Sequence, residues 1–315
     1  MLLFVGCVVT LPAQDKTRMT QLQERLSTLL QLADTATTDN RRYLASEQAV
    51  EVLEEALKQE RSERWRWTLP QCASVLTSPD GRLRVFTWAV VADDGVYECF
   101  GAVQYYNDRE EEYQYALLHD KSDDLINREE SVLQADRWLG AIYQDIIQTT
   151  ASGHTYYTLL GWCGVDNLTD RKVIEPVMIR GGAPQFGAPL FRRERNLRRI
   201  VLEYANDAMV HLAYEEQFVE TVTRERVKVK GSNRYRTEDR KTVHKEKMIV
   251  FDEVEAQVPG MEGMFQYYVP SGTELAYAFV DGKWEQRQGA HGRLTDKKLN
   301  KPFEPLPKSA PAYKH

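Results

Sequence analysis

The spacing of apolar residues changes near Trp65, and this change limits the folds open to the chain. Before it, residues 15–62 place apolar side chains three and four positions apart, which is typical of amphipathic helices. After it, short runs rich in Val, Tyr and Trp are joined by tight turns, as in 82–91 and 96–106 around "ADDG". Strands and helices do not alternate, so a doubly wound nucleotide-binding fold does not fit.

The helical part reads as two antiparallel helices joined by the polar link "DTATTDNRRY". Met19, Leu22 and Leu26 belong to the apolar stripe of the first helix. In the second helix we expect Ser46 to be the N-cap, because a serine hydroxyl accepts hydrogen bonds from the free N–H groups of a first turn. Each helix has one apolar side and must pack on another element.

The remainder predicts about a dozen strands. We interpret 137–150 as containing a strand, although its pattern also suits a helix, since Gly140 disfavours a helix. Further hairpins are predicted to turn at Asn206-Asp207 and at Asp281-Gly282. The fold class is therefore α+β, mainly antiparallel β (a sandwich, a barrel-like sheet or a large meander), with an N-terminal helical hairpin.

Composition and the terminal segments suggest four regions. Residues 1–13 resemble a secretory signal peptide, 14–64 form the helical hairpin, 65–300 form the β domain, and the proline-rich 301–315 are an extended or disordered tail. We expect export to the periplasm or cell envelope. Lipoprotein anchoring at Cys7 is the less favoured alternative, and no stretch after the signal reaches the ~18 apolar residues of a membrane-spanning helix.

Cysteine usage leaves the thiol chemistry open. If Cys7 leaves with the signal, then Cys72, Cys99 and Cys163 remain, so at most one disulfide forms and one thiol is left over. No C-x-x-C pair occurs, so a zinc or thioredoxin-like site has no support. We expect buried, unreactive thiols for most of them.

One segment has a charge opposite to that of the rest of the chain. Residues 223–247 contain ten Lys or Arg against four acidic residues, a local charge of +6, while the remainder totals −12. The segment alternates charged residues with Val, Thr or Tyr, which predicts a long polar β-hairpin inserted at about 217–247 and projecting from the body. It is either a solvated protrusion or a basic surface for an acidic protein or an anionic polysaccharide. The candidate partner-binding residues are Arg224, Arg226, Lys228, Lys230, Arg234 and Arg236.

A second candidate site is the polar loop "CGVDNLTDRK" between two apolar runs. The favoured interpretation is a strand–turn–strand corner with Trp162 packed beside it and with Asn167 and Asp170 bonded to their own backbone. The alternative is a carbohydrate or peptide site, because an aromatic ring lies next to polar groups. Its candidate ligand-binding residues are Trp162, Asp166, Asn167, Asp170 and Arg171.

Motifs for catalysis were not found in the sequence. It has no G-x-S-x-G, H-E-x-x-H, P-loop or G-x-G-x-x-G, so we predict no cofactor and assign no metal ligand or catalytic residue. His211 and Glu215 are four apart, and on a strand we expect that spacing to separate them by ~13 Å. The loop after Cys163 lacks the alternating acids and the glycine of a calcium loop.

The segments "YYTLLGWCGVDNLTDRKVIEPVMI", "PQFGAPLF" and "MIVFDEV", with "SPDGRLRVFTW" before them, carry a family resemblance. The chain resembles a family of exported Gram-negative proteins with a YTLLGW, RKVIE, FGAPIF and MIVFD pattern, over roughly Ser78 to Gln286. The resemblance implies export and a β-rich body. It implies no enzymatic activity, cofactor or catalytic residue, because none is assigned to that family. Two departures stand out: Cys163 replaces an aspartate common in that family, and the basic hairpin is an insertion.

These observations favour an exported, non-enzymatic binding or envelope-associated interaction protein. The main alternative is an envelope hydrolase that acts on glycan or peptide with carboxylates from separate strands. A third possibility is an accessory protein of a larger envelope machine. The net charge of −6 gives no reason to expect nucleic acid as a partner.

Overall fold

The structure, a computed structural model, describes residues 13–192, 195–228, 230–231 and 233–287. The predicted tail 301–315 and, except for Ala13, the predicted signal peptide lie outside these residues. Two helices come first, α1 at Ala13–Thr35 and α2 at Asp39–Leu57. None of the helices that the structure describes is long and apolar enough to span a bilayer.

The start of α2 corrects the prediction for Ser46. The helix begins at Asp39, directly after Thr38. Its first turn therefore consists of residues assigned to the polar link, and Arg41 lies on the exposed side of the helix. Ser46 is therefore buried inside the helix, where its Oγ accepts a hydrogen bond of 2.7 Å from Trp88 Nε1. It joins the helix to a strand instead of capping it.

The first sheet lies under the helices. Its order is β1-β2-β3-β4, and the strands are antiparallel: β1 Ala73–Thr77, β2 Leu83–Val91, β3 Tyr97–Asn107 and β4 Glu112–His119. Successive side chains on a strand point to opposite faces. Phe86 and Trp88 pack against the helices, while Leu83 and Val85 pack in a second core with residues of the next sheet.

The second sheet contains five strands, namely β5 Ile142–Ala151, β6 His154–Gly164, β7 Thr169–Arg180, β8 Ala183–Phe186 and β9 Ile200–Ala205. Strands β5 to β8 pair in sequence order, and β9 pairs with β7. The strand interpretation of the ambiguous segment is confirmed, since β5 occupies its second half and short 3-10 turns precede it.

The third sheet has the order β10-β11-β12-β13, with β10 Leu212–Lys228, β11 Tyr235–Ala256, β12 Tyr268–Val280 and β13 Lys283–Gln286. The hairpin at Asp281-Gly282 is confirmed by the pairing of β12 with β13. The hairpin predicted at Asn206-Asp207 is wrong, because β9 pairs with β7 while β10 belongs to this third sheet. The chain does turn there, but it passes from one sheet to another.

The predicted fold class, α+β and mainly antiparallel β behind an N-terminal helical hairpin, is confirmed. The chain divides into two units. The first contains the helices, the first two sheets and, from the third sheet, residues 212–215 and 248–287, and the second contains 216–247. Within the first unit, Leu160 and Ile174 share an apolar core with Phe251 and Trp284.

A buried polar network lies inside the second sheet. Glu175 on β7 and Arg199 before β9 are fully buried and form an ion pair of 2.6 Å. The other carboxylate oxygen of Glu175 accepts a hydrogen bond from the hydroxyl of Tyr143, which in turn accepts one of 2.8 Å from Trp138 Nε1. Arg199 also donates to main-chain carbonyls, including that of Phe186 at 3.0 Å. Burial and the neighbouring Glu175 carboxylate raise the pKa of Tyr143, so this hydroxyl stays protonated and donates.

Candidate functional site

The polar loop that we singled out from the sequence connects β6 to β7. Gly164 and Asp170 are the last paired residues of the two strands, so the loop is the turn of a hairpin. Asp166 organises it: its Oδ1 accepts from the backbone N–H groups of Leu168 and Thr169, both at 2.8 Å. The expectation that Asn167 and Asp170 bond this backbone is therefore wrong. Asp166 has this role because it precedes both N–H groups by two and three residues, as in an Asx turn.

Asn167 fastens the turn to its surroundings. Its side-chain N–H donates to the carbonyl of Asp94 in the turn between β2 and β3. Its own carbonyl accepts from the side chain of Asn206, which follows β9. Gly95 has a φ of +84°, which L side chains rarely adopt, and a Cβ there would lie 2.0 Å from the Asn167 side chain, so glycine is favoured at this position. The turn is held between the first and second sheets.

The polar partner of Trp162 is Asp170, and the Trp162 ring also contacts a neighbouring tyrosine. The Trp162 Nε1 donates to Asp170 Oδ2 at 3.2 Å, and the Trp162 ring stands edge-on to Tyr97 with 5.8 Å between centroids. Burial raises the pKa of Asp170, and burial also raises that of Tyr204 nearby. The indole N–H bond opposes the shift at Asp170 because it favours the carboxylate.

Arg171 lies apart from these side chains. It is 4 % exposed, and its guanidinium donates to Ser122 Oγ at 3.0 Å and to the Gly140 carbonyl at 3.3 Å. The structure thus brings Trp162 and Asp170 together, places Asp166 and Asn167 in the turn, and directs Arg171 into the protein. Each of the five side chains already forms hydrogen bonds to protein atoms, so the arrangement has a structural role and connects the first and second sheets.

We expect Asp166→Ala to lower the free energy of unfolding by about 1–3 kcal/mol, because the main-chain donors of the turn lose a charged acceptor. Urea denaturation followed by fluorescence measures this loss. Asp207→Ala is the control, since Asp207 is exposed in a neighbouring turn and its removal should change stability by less than about 0.5 kcal/mol. Equal losses in the two variants would show that Asp166 does not organise the corner.

The basic hairpin is a unit by itself. Its two strands are residues 216–228 of β10 and 235–247 of β11. The described side chains of these strands are largely exposed. Some of its cations are paired within the hairpin: Arg224 with Asp239 at 3.3 Å and Arg240 with Glu225 at 3.4 Å. Arg224 nevertheless remains 80 % exposed, so this pair contributes little to stability.

Towards the tip the sequence has no acidic residue between Glu225 and Glu238. Arg226 lies over the ring of Tyr235, 4.8 Å from its centroid. Arg224, Arg226 and Lys228 occupy alternate positions of β10 and therefore share one face, roughly 7 Å apart along the strand. Lys230 and Arg234 flank the tip, and Arg236 pairs with Glu238. We name the row Arg224, Arg226 and Lys228 the cationic row.

A small polar cleft in the first unit was not predicted from the sequence. It has a volume of about 240 Å³, and Arg82, Asp108, His154 and Tyr157 contribute to its lining. Burial and a 2.9 Å hydrogen bond to Asp80 raise the pKa of Tyr157. These residues come from strand ends and turns far apart in the chain, so no local motif could reveal them. The cleft is lined by one carboxylate, whereas glycoside hydrolysis uses two.

His211 and Glu215 lie closer together than the sequence predicts. The predicted separation of His211 and Glu215 is wrong: His211 precedes β10, and its Nε2 lies 3.7 Å from a Glu215 carboxylate oxygen. They form only a pair, and within the described parts of the chain no three His, Cys, Asp or Glu residues are grouped closely enough to hold a metal ion.

Comparisons with known proteins add no relative. No protein-family model, curated protein sequence or solved structure matches the chain. The resemblance to the exported Gram-negative family therefore stays an expectation from the motifs quoted above. The candidate sites are interpreted from their own geometry.

Proposed function

We propose that this protein is an exported, non-enzymatic binding protein of the cell envelope, and that its basic hairpin holds a linear anionic polysaccharide. The observation that carries the proposal is the cationic row. Three cations repeat at alternate positions of one strand, and an extended polymer with regularly spaced negative groups can meet such a row along its length.

The surroundings of the exposed rings favour a polyanion over an acidic protein. Protein interfaces usually depend on apolar or aromatic anchors that enter a pocket. In the hairpin, the Arg226 guanidinium lies 4.8 Å from the centroid of the Tyr235 ring, and the Lys245 ammonium lies 5.4 Å from that of Phe218. These rings are 54 % and 41 % exposed, so a partner meets a cation beside each exposed ring instead of a pocket. An acidic protein surface is the alternative occupant, and nucleic acid is not proposed for an exported protein.

Polygalacturonate, a linear polymer with a carboxylate on each sugar, is a suitable probe. We expect the full chain to bind it at low ionic strength in a calorimetric titration. Replacing the cationic row by alanine should raise the dissociation constant about 10-fold or more, because three exposed charge contacts at roughly 0.5 kcal/mol each are lost. The variant combines the changes R224A, R226A and K228A.

A matched control changes the net charge equally elsewhere. Arg41, Arg66 and Arg137 are exposed in the first unit, and their replacement by alanine also removes three positive charges. This control should bind polygalacturonate nearly as well as the unchanged protein. If both triple variants lose affinity equally, the attraction depends on total charge and the proposal for the hairpin is wrong. Retention of binding by the row variant would also contradict it.

A further inference from the structure

Two free thiols from different sheets meet in the core of the first unit. Cys99 lies on β3 and Cys163 on β6, and each is 2 % exposed. Their Sγ atoms are 2.9 Å apart, about 1 Å longer than the roughly 2.04 Å of a covalent S–S bond. The two residues are 64 positions apart in the sequence, so no spacing motif indicates this pairing.

The main chain on both sides of the pair is held close. The backbone N–H of Tyr97 donates to the Val165 carbonyl at 3.2 Å, two residues from each cysteine. A Cβ on Gly164 would lie 2.4 Å from Tyr97 Cε2, so the glycine permits this approach. The N–H of Cys99 is fixed as well, by a 3.0 Å hydrogen bond to an Asp120 oxygen. Small side-chain movements can therefore bring the sulfur atoms to bonding distance.

We propose that Cys99 and Cys163 form a disulfide that joins the first sheet to the second. The oxidant is a small-molecule or protein disulfide. The exchange takes place while the chain folds, before these two thiols are buried. One cysteine thiolate attacks the oxidant and releases one thiol, and the second thiolate then attacks the mixed disulfide and releases the other. The two cysteines lose two protons and two electrons in forming the S–S bond, and the oxidant is reduced to two thiols.

The third described cysteine is the thiol left over. Cys72 is half-buried, and its Sγ lies 3.6 Å from the carbonyl oxygen of Leu30 in α1. It packs with the helices, whereas Cys99 and Cys163 pack in the core between the first and second sheets. The proposal therefore selects one pairing among the three that these cysteines allow.

The proposal is independent of what the hairpin binds, and peptide mapping tests it. The full chain is unfolded in reductant, refolded in the presence of glutathione disulfide, unfolded again with an alkylating agent and no reductant, digested and measured by mass spectrometry. We expect the peptides that contain Cys99 and Cys163 to be joined and Cys72 to be alkylated. The Cys72→Ala variant should keep the cross-link, and Cys163→Ala should leave Cys99 alkylated. Alkylation of both Cys99 and Cys163 in the oxidised protein, or a link to Cys72, would overturn the proposal.

A thermal measurement on the unchanged protein provides a test that needs no variant to fold. Reduction of the cross-link should lower the melting temperature by about 5 °C or more, because a bridge closing so long a loop restricts the unfolded chain. Cys72→Ala should show the same drop. The Cys99→Ala, Cys163→Ala double variant, if it folds, should melt at the same temperature with and without reductant. An equal melting temperature for the oxidised and reduced unchanged protein would count against a native cross-link.

Discussion

Arg199→Ala is expected to lower the free energy of unfolding by about 3–5 kcal/mol, because it leaves the Glu175 carboxylate buried without its cation. Both side chains are fully buried and lie 2.6 Å apart. The same change removes the donor that satisfies the carbonyls of Ser131 and Phe186. The loss therefore combines an unpaired charge with unsatisfied acceptors.

Denaturant titration of purified variants measures this loss, with two controls. Arg18 pairs with Glu55 on exposed helix surfaces, so Arg18→Ala should cost less than about 1 kcal/mol. Replacing Arg199 by methionine and Glu175 by leucine together should be less harmful than Arg199→Ala alone, because neither charge is then buried unpaired. A double variant as unstable as the sum of the single changes would contradict this explanation.

Trp88→Ala should destabilise the protein by about 3–5 kcal/mol, because it opens a cavity between the helices and the first sheet. The Trp88 side chain is 2 % exposed, and its ring stacks on Phe100 with centroids 6.2 Å apart. Its indole N–H is bonded to Ser46, which is completely buried in α2. Thermal and urea unfolding followed by circular dichroism would measure the effect.

Trp88→Phe separates packing from hydrogen bonding. The phenyl ring fills most of the space but leaves the Ser46 hydroxyl without the indole donor, so we expect a loss of about 1–2 kcal/mol. A Trp88→Ala variant no less stable than Trp88→Phe would show that the helices do not depend on this contact. The helices would then pack on the sheet through the surrounding aliphatic residues.

Local patterns predicted the local structure. The helical stripe, the strands on either side of "ADDG" and the Asp281-Gly282 hairpin all depend on neighbours in sequence, and the structure has them. The start of α2 was missed because Asn40 and Arg41 are polar. On the exposed side of a helix such residues are acceptable, so polarity alone does not end the helix.

Contacts between distant segments could not be read in the same way. Strand β9 pairs with β7 and not with β10, which follows it in the sequence. Which of the two strands it pairs with depends on which apolar faces pack together in the folded protein. The pairing of Glu175 with Arg199 likewise requires the second sheet to be assembled. A single glutamate within an apolar strand gives no indication of the cation that will neutralise it.

The candidate sites follow the same division. Trp162 and Asp170 lie on paired strands of one hairpin, so their contact follows once β6 pairs with β7, but the sequence analysis did not pair them. The cleft near Arg82 and His154 joins separate hairpins, and the cysteine pair joins separate sheets. The cationic row was visible because alternate positions of one strand share a face.

The salt dependence of polygalacturonate binding tests the central claim most directly. A polyanion held by a row of cations releases counterions on binding, so the logarithm of affinity falls linearly with the logarithm of salt concentration. Removing Arg224, Arg226 and Lys228 should make this slope shallower by about two to three, or about one per lost contact. The control at Arg41, Arg66 and Arg137 should keep the original slope. Identical slopes for the unchanged protein and the row variant would contradict the account.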